Sequence, residues 1–249
     1  MNICFFHYTY PGIGGTETVT NLLAEQFRNL GHAISVITWQ RNDNVPLCVI
    51  DDVCILPDVK RLNSEENAEF IHDYLKSNHI DCLINQGPFW TPTLKIKQLS
   101  TVVISVLHYS PDYKIVNQKN AITECFHRKS PTISHFIKSV VRYVFRETFA
   151  IRDFNKEYKK EFQETIANSD RFVVLCDEYV QDLKKLIKCD YSNIIAVSNG
   201  LKITDETFPK EKTVVCIGRL SKWDKRVDRL LHIWRDIEKR HGDWSLLIL

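Results

Sequence analysis

No two cysteines in this sequence are spaced Cys-x-x-Cys. The eight of them, at positions 4, 48, 54, 82, 125, 176, 189 and 216, are scattered, and several stand inside apolar runs. They read as reduced core thiols rather than as a zinc site or a disulfide framework. Long apolar runs are missing too: none approaches the roughly 18 to 20 residues that a bilayer-crossing helix needs. The N-terminus opens directly on an apolar strand, Asn2 to His7, with no basic region, no apolar h-region and no small-residue cleavage site. A cytoplasmic location is therefore expected, with contact to the inner face of a membrane at most peripheral. Net charge is scarce as well: a formal +2 argues against a protein whose main task is to hold nucleic acid by its phosphates.

What the sequence does have is the composition of a globular protein able to bury a core, 44% apolar and 26% charged. Its length of 249 residues admits one complete α/β domain and the start of another. The first forty residues form a unit of strand, Gly-rich loop, helix and strand. The helix is predicted to take Thr16 as N-cap, to carry Val19, Leu22, Leu23, Phe27 and Leu30 at helical spacing, and to stop at Gly31. Alternation then continues: a helix over 64–77, a strand over 82–85, a short helix over 93–99 and a strand over 101–107. After a basic segment come a strand over 171–175, a helix over 177–187 and a strand over 193–197. Short apolar strands between helices imply an α/β, Rossmann-like parallel sheet covered by helices on both faces. Ligands of such a sheet bind at the carboxyl ends of its strands.

Residues 201–212 turn polar and contain Pro209, as a linker between domains does. A second βαβ beginning follows, with a strand over 213–217, a loop over 218–224, a helix over 225–240 and a strand over 244–249. Such a unit cannot bury its own apolar faces. The expected organisation is a domain over 1–200, the linker, and a truncated start of a second Rossmann-like domain over 213–249.

Three places suggest chemistry. Pro11-Gly12-Ile13-Gly14-Gly15-Thr16-Glu17 joins a strand to a helix N-terminus, where free N–H groups and the helix dipole favour an anion and glycine lets a phosphate approach the backbone. The dinucleotide fingerprint GxGxxG is not met, since Glu17 stands at its third glycine, and the second strand ends in Thr38-Trp39-Gln40 without an acid for a ribose hydroxyl. NAD and FAD enzymes are thereby disfavoured, and a turn that merely joins strand to helix is the plain alternative. His108 closes a central strand, with the Gly87-Pro88-Phe89 turn beside it. Arg219 and Lys225 flank the last strand-to-helix loop, where solvated cations are also common.

These segments resemble glycosyltransferase family 4, whose members face two Rossmann-like domains across a cleft, the GT-B fold. The likeness rests on Gly14 to Glu17 with Gly31-His32, on DRFVVLCDEY over 170–179, on IAVSNG over 195–200, and above all on GRLSKWDKRVDRLL over 218–231. It implies an acceptor-side domain over 1–200 and the opening of a donor-binding domain over 213–249. It further implies a retaining transferase that moves a hexose from a nucleoside diphosphate sugar of UDP or GDP type to a glycan or lipid-linked glycan, with no metal and no other cofactor. Gly14, Gly15, Thr16 and Glu17 would lie at the nucleotide sugar. Arg219 and Lys225, with Lys222 as the alternative lysine, would grip the diphosphate and stabilise the charge of the leaving group, and His108 would stand near the donor sugar. The family's acidic motif of two Glu residues in the second domain is not reached by residue 249, so the chain alone is expected to be inactive.

The stretch from Arg128 to Lys160 holds nine Lys or Arg against three acids, with apolar residues at helical spacing. Docking on an anionic membrane and packing of a helical insertion are both compatible with it. A non-catalytic binding domain that keeps the fold is the rival to the transferase, and another enzyme of the same fold, such as a sugar-nucleotide epimerase, is a third reading.

Overall fold

The computed structural model describes residues 1–47, 50, 52–87, 96, 99–117, 148–203, 209–218, 220 and 225–249. Its first strand, β1 (Asn2–Tyr10), reads NICFFHYTY and is buried on both faces over Cys4, Phe5 and Phe6. Burial on both faces is what a strand in the middle of a parallel sheet requires. Around it lie β2 (Ala33–Arg41), β3 (Val53–Ile55), β4 (Cys82–Asn85), β5 (Val102–Leu107), β6 (Arg171–Val174) and β7 (Ile194–Ala196). They form one sheet in the order β3-β2-β1-β4-β5-β6-β7, and every adjacent pair is parallel. The α/β, Rossmann-like class expected from the sequence is thus the observed one.

Helices cover both faces. On one, Cys4, Phe6, Leu83 and Val103 pack with Ile71 and Leu75 of α2 (Glu65–Ser77). On the other, Ile3, Phe5, Val36 and Ile84 pack with Ala24 of α1 (Gly15–Asn29). Toward the far edge, Leu107, Phe172 and Val174 meet Tyr158, Phe162 and Ile166 of α3 (Thr148–Ala167) and Leu183 and Ile187 of α4 (Asp177–Ile187). Each fully buried aliphatic or aromatic side chain contributes about 1.5–3 kcal/mol, so these three clusters are what holds the sheet.

Because β1 pairs with β2 on one side and β4 on the other, the chain reverses its direction of sheet growth between β1 and β4. In open α/β sheets that switch point is where ligands bind, at the carboxyl ends of the strands.

Several local expectations change. Thr16 does not cap α1: Gly14 is the N-cap, extended at φ −80°, with no side-chain cap, and Thr16 lies inside the first turn. Two consecutive glycines let the backbone enter the helix earlier than a Ser/Thr signal suggests. At the other end Gly31 has φ 82°. Its N–H donates to the Arg28 carbonyl at 2.9 Å and that of His32 to Phe27 at 3.0 Å, a Schellman closure that needs a left-handed residue. Strand β3 has no counterpart in the sequence reading, being a three-residue edge strand too short to show a period. Most of the short helix expected over 93–99 lies outside the described residues. The free cysteines include buried Cys4 and Cys82, whose thiols burial pushes up to about 12 and about 11. Cys189, however, is exposed, in the turn after α4.

The chain divides into two compact units, Met1–Lys202 and Ile203–Leu249. The second is a parallel pair, β8 (Thr213–Cys216) with β9 (Ser245–Ile248), joined by α5 (Val227–Glu238). No residue of α5 is buried, and Leu231 and Ile233 are more than half exposed.

Candidate functional site

At the switch point the loop from Pro11 leads into α1. Two of its glycines are explained by one neighbour. A Cβ on Gly12 would stand 2.9 Å from Cγ and 3.0 Å from Cδ of Glu17, and a Cβ on Gly14 would also strike the Glu17 carboxylate. A Cβ on Gly15 would meet nothing within 4 Å. Glu17, the third residue of α1, therefore folds back over the loop and brings its own negative charge to the positive end of the helix. The glycines that suggested a close phosphate approach make room, in this structure, for a carboxylate. Thr16 is half-buried beside them.

Behind the loop lies a row of polar side chains on the α1 face. Strand alternation puts His7 on the face of Ile3 and Phe5, Gln86 on that of Cys82 and Ile84, and His108 on that of Ile104 and Val106. The Gln86 N–H continues the β1–β4 ladder by donating to the Phe6 carbonyl at 3.0 Å. His108 directly follows β5, and its Nε2 is hydrogen-bonded to Gln86 Oε1. Burial holds the His108 imidazole below the ordinary histidine range. His7 is only 2% exposed, and its Nε2 lies 2.9 Å from Thr20 Oγ1 of α1. Burial, reinforced by His108, pushes its pKa down to about 3, so it is neutral at any physiological pH.

A second polar series stiffens the same end of the sheet. Asn85 Oδ1 accepts the Gly87 N–H at 2.9 Å, and Asn85 Nδ2 donates to Ser105 Oγ at 3.3 Å. Ser105 Oγ and Ser169 Oγ are 2.8 Å apart, and Ser169 Oγ donates to the Thr165 carbonyl at 2.7 Å. Since Ser169 gives its proton to Thr165, Ser105 must give its own to Ser169, and the series runs one way from Asn85 to α3. Gly87 is a glycine because a Cβ there would lie 3.1 Å from Tyr8 Cε2 and 3.2 Å from Phe6 Cε1. Pro88 and Phe89, expected to line the same place, lie outside the described residues.

Past His108 the chain supplies an aromatic and charged cluster. Tyr109 and Tyr113 stand with ring centroids 5.4 Å apart, and Lys114 Nζ sits 5.3 Å from the Tyr158 ring centre. Burial raises the Tyr109 hydroxyl, with Tyr158 adding to it, and also raises Glu161 while lowering Lys114.

In the second unit Arg219 lies outside the described residues, as does Lys222. Lys225 is exposed, and its side chain runs along Gly218, where a Cβ would meet Lys225 Cε at 3.4 Å. Gly218 has φ 152°, a backbone setting that favours glycine. Of the basic stretch over 128–160, only residues from 148 on are described. There Tyr158 is buried in the core, half-buried Phe154 packs against it, and Arg152, Lys156 and Lys160 are exposed. This part of the stretch thus puts its aromatic side into the protein. No described helix is long and apolar enough to cross a membrane.

The sequence reading found the loop and His108 but not His7, Gln86 or the Asn85–Ser105–Ser169 series. Their only sequence signal is a polar residue within or just after an otherwise apolar run, at His7, Asn85-Gln86 and Ser105.

No family model and no curated protein matches this chain. Solved structures do match its fold. One is WaaG, a glycosyltransferase involved in lipopolysaccharide biosynthesis, at 13% identity and a TM-score of 0.57, covering 99% of this chain and 62% of WaaG. Another is Staphylococcus aureus TarM, crystallised with fondaparinux, alpha-GlcNAc-glycerol and UDP, at 12% identity and TM-score 0.63, covering 99% and 71%. A third is a protein of Listeria monocytogenes assigned as a UDP-N-acetylglucosamine 2-epimerase, at 11% identity and TM-score 0.51, covering 99% and 61%. The chain thus spans less than two thirds of the length of two of these. At such identities the likeness is one of fold, and it is the fold of GT-B glycosyltransferases.

Proposed function

We propose that the chain belongs to a retaining glycosyltransferase, with the first unit as its acceptor-side domain. The transferase would pass a hexose from a UDP or GDP sugar to a glycan or lipid-linked glycan. The observation that carries this reading is the row His7, Gln86 and His108 at the carboxyl end of the sheet, beside the switch point where α/β sheets bind ligands. A neutral His108 suits a hydroxyl-rich ligand better than an anionic one, so its role is a hydrogen bond to the donor sugar. The tyrosines at 109 and 113 add the aromatic surface on which sugar rings stack.

Departure of a nucleoside diphosphate builds negative charge, and cations fixed at that point lower the barrier. Arg219 and Lys225 take that role, Arg by its planar fork and Lys as a point charge. Their loop is anchored by Gly218, against which the Lys225 stem packs. No metal or other cofactor is needed on this reading. WaaG and TarM, which share the fold, are tied by description to a lipopolysaccharide pathway and to UDP with a GlcNAc-glycerol, and the substrate class is chosen in line with them. The 249-residue polypeptide alone is expected to transfer negligibly, because Lys225 stands on a two-stranded unit whose helix buries nothing.

A second reading, binding without transfer, is favoured by Glu17, whose carboxylate already lies over the loop that would meet a phosphate. Titrating the 15N-labelled chain with UDP, GDP and their hexose conjugates, and separately with glycan fragments, tests both. Shifts at His108 and Lys225 with the nucleotide sugars are expected. Shifts with glycans alone favour the binding domain, and no shift with any of them refutes both. Peripheral membrane contact through residues 128–160 is checked by sedimentation with anionic vesicles at low salt.

A further inference from the structure

Gln86 is a polar side chain, 6% exposed, at the point where the sheet reverses its direction of growth. Its amide oxygen is engaged by His108 Nε2, and its amide nitrogen is buried with no hydrogen-bond partner among the described residues. Leaving a buried amide N–H unmet forfeits the hydrogen bond it made to water in the unfolded chain. A fold has little reason to keep such a group there when an aliphatic side chain would pack without that cost.

An amide oxygen only accepts, so the proton of this hydrogen bond belongs to His108. That fixes the imidazole in its Nε2–H form and leaves Nδ1 as a lone-pair acceptor, for which no partner stands among the described residues. Two groups of opposite sense therefore have no partner among the described residues: the donor amide of Gln86 and, on the far side of the imidazole ring, the acceptor Nδ1 of His108. A sugar, whose hydroxyls both donate and accept, can meet each of them with a separate hydroxyl. A phosphate oxygen, which only accepts, satisfies Gln86 alone. A plain structural glutamine would have both ends engaged.

We propose that Gln86 is a positioning residue that fixes His108 as the Nε2–H tautomer, so that His108 Nδ1 accepts a hydrogen bond from a hexose hydroxyl. The inference rests on the reading of His108 as the residue that meets the donor sugar, and it adds which atom does so and what sets it.

Long-range 1H–15N correlation spectra of the labelled 249-residue chain report the tautomer directly and need no ligand. The His108 signals are identified by their loss in His108→Asn. In the unsubstituted chain His108 is expected as a single Nε2–H form, with Nδ1 at the shift of an unprotonated ring nitrogen. Gln86→Leu is expected to average the two forms while the backbone amide spectrum stays folded. Gln86→Glu keeps an acceptor in place and is expected to restore the Nε2–H form, which a merely space-filling role would not require. An Nδ1–H form in the unsubstituted chain, or an unchanged tautomer in Gln86→Leu, overturns the proposal. If Gln86→Leu does not fold, the unsubstituted chain and Gln86→Glu decide alone, and either one showing an Nδ1–H form overturns it. Titration with UDP- and GDP-hexoses separates the two levels. A fixed tautomer with no response of His108 to any sugar nucleotide sinks the transferase reading but not the tautomer assignment, whereas a response with mixed tautomers does the reverse.

Discussion

Lowering the pH from 7.5 to 5 should weaken this chain by about 2 kcal/mol through His7 alone. The imidazole titrates near 6.5 when solvated and near 3 when packed against Thr20 under α1. Below 6.5 the unfolded chain therefore binds a proton that the folded chain refuses, and stability falls as pH falls, by up to about 1.4 kcal/mol per pH unit. The contribution is fully present above 6.5 and is lost progressively between 6.5 and about 3. At pH 5 the window has been entered by one and a half units, which gives the 2 kcal/mol. His7→Gln keeps a hydrogen-bonding group for Thr20 and removes the titration. Urea unfolding of both proteins from pH 8 to 5 measures it: the carboxylates titrate alike in the two, so the difference between the curves belongs to His7. The unsubstituted chain should lose about 2 kcal/mol more than His7→Gln over that range. Parallel curves, or a His7 that titrates by NMR above pH 5.5, would refute the reasoning.

Ser169→Ala removes the acceptor of the Ser105 hydroxyl and should destabilise the first unit by about 1–3 kcal/mol; in urea unfolding the double variant Ser105→Ala/Ser169→Ala should recover part of that loss, and strict additivity would contradict a one-way series. Gly31→Ala puts a Cβ in open space at φ 82°, so its cost is backbone strain of about 1–2 kcal/mol, and a thermally neutral variant would show that the Schellman turn can shift. Glu17→Gln removes a charge from the N-terminus of α1 and should lower stability by about 0.3–1 kcal/mol while raising affinity for inorganic phosphate or UDP; unchanged affinity by calorimetry would mean that the loop is not an anion site. Lys225→Ala should abolish the response of the second unit to UDP or GDP by NMR without changing its fold, and an undiminished response would remove Lys225 from the diphosphate site.

The sheet was legible because its strands are short apolar runs separated by helices of clear period. The helix over 177–187 and the strand over 82–85 occupy the residues the pattern predicted. What was not legible follows from physics that a period does not carry. The edge strand Val53–Ile55 is too short to show an alternation. The start of α1 depends on how two glycines turn, not on a Ser/Thr cap. At the site, His108 is legible as a histidine at a strand end, but its setting depends on Gln86, 22 positions away in sequence and at the end of the neighbouring strand. Pairings of that kind are set by strand order, and strand order was not written in the local pattern.

Strand order also changes how the glycine-rich loop is to be understood. Placed between a strand and a helix N-terminus, the loop reads from sequence either as a cradle for phosphate or as a turn that merely joins the two elements. In the structure Glu17 lies over Gly12 and Gly14, so a carboxylate already occupies the space that a phosphate would take. A second anion can enter only if Glu17 turns outward, which it is free to do since one flexible side chain, not backbone, fills the space. The uncharged groups His7, Gln86 and His108 need no such displacement. Burial disfavours the charged form of both histidines, and neutral donors and acceptors recognise hydroxyls without a charge to compensate. At this end of the sheet the first unit is thus better built to meet a neutral hydroxyl than a second anion.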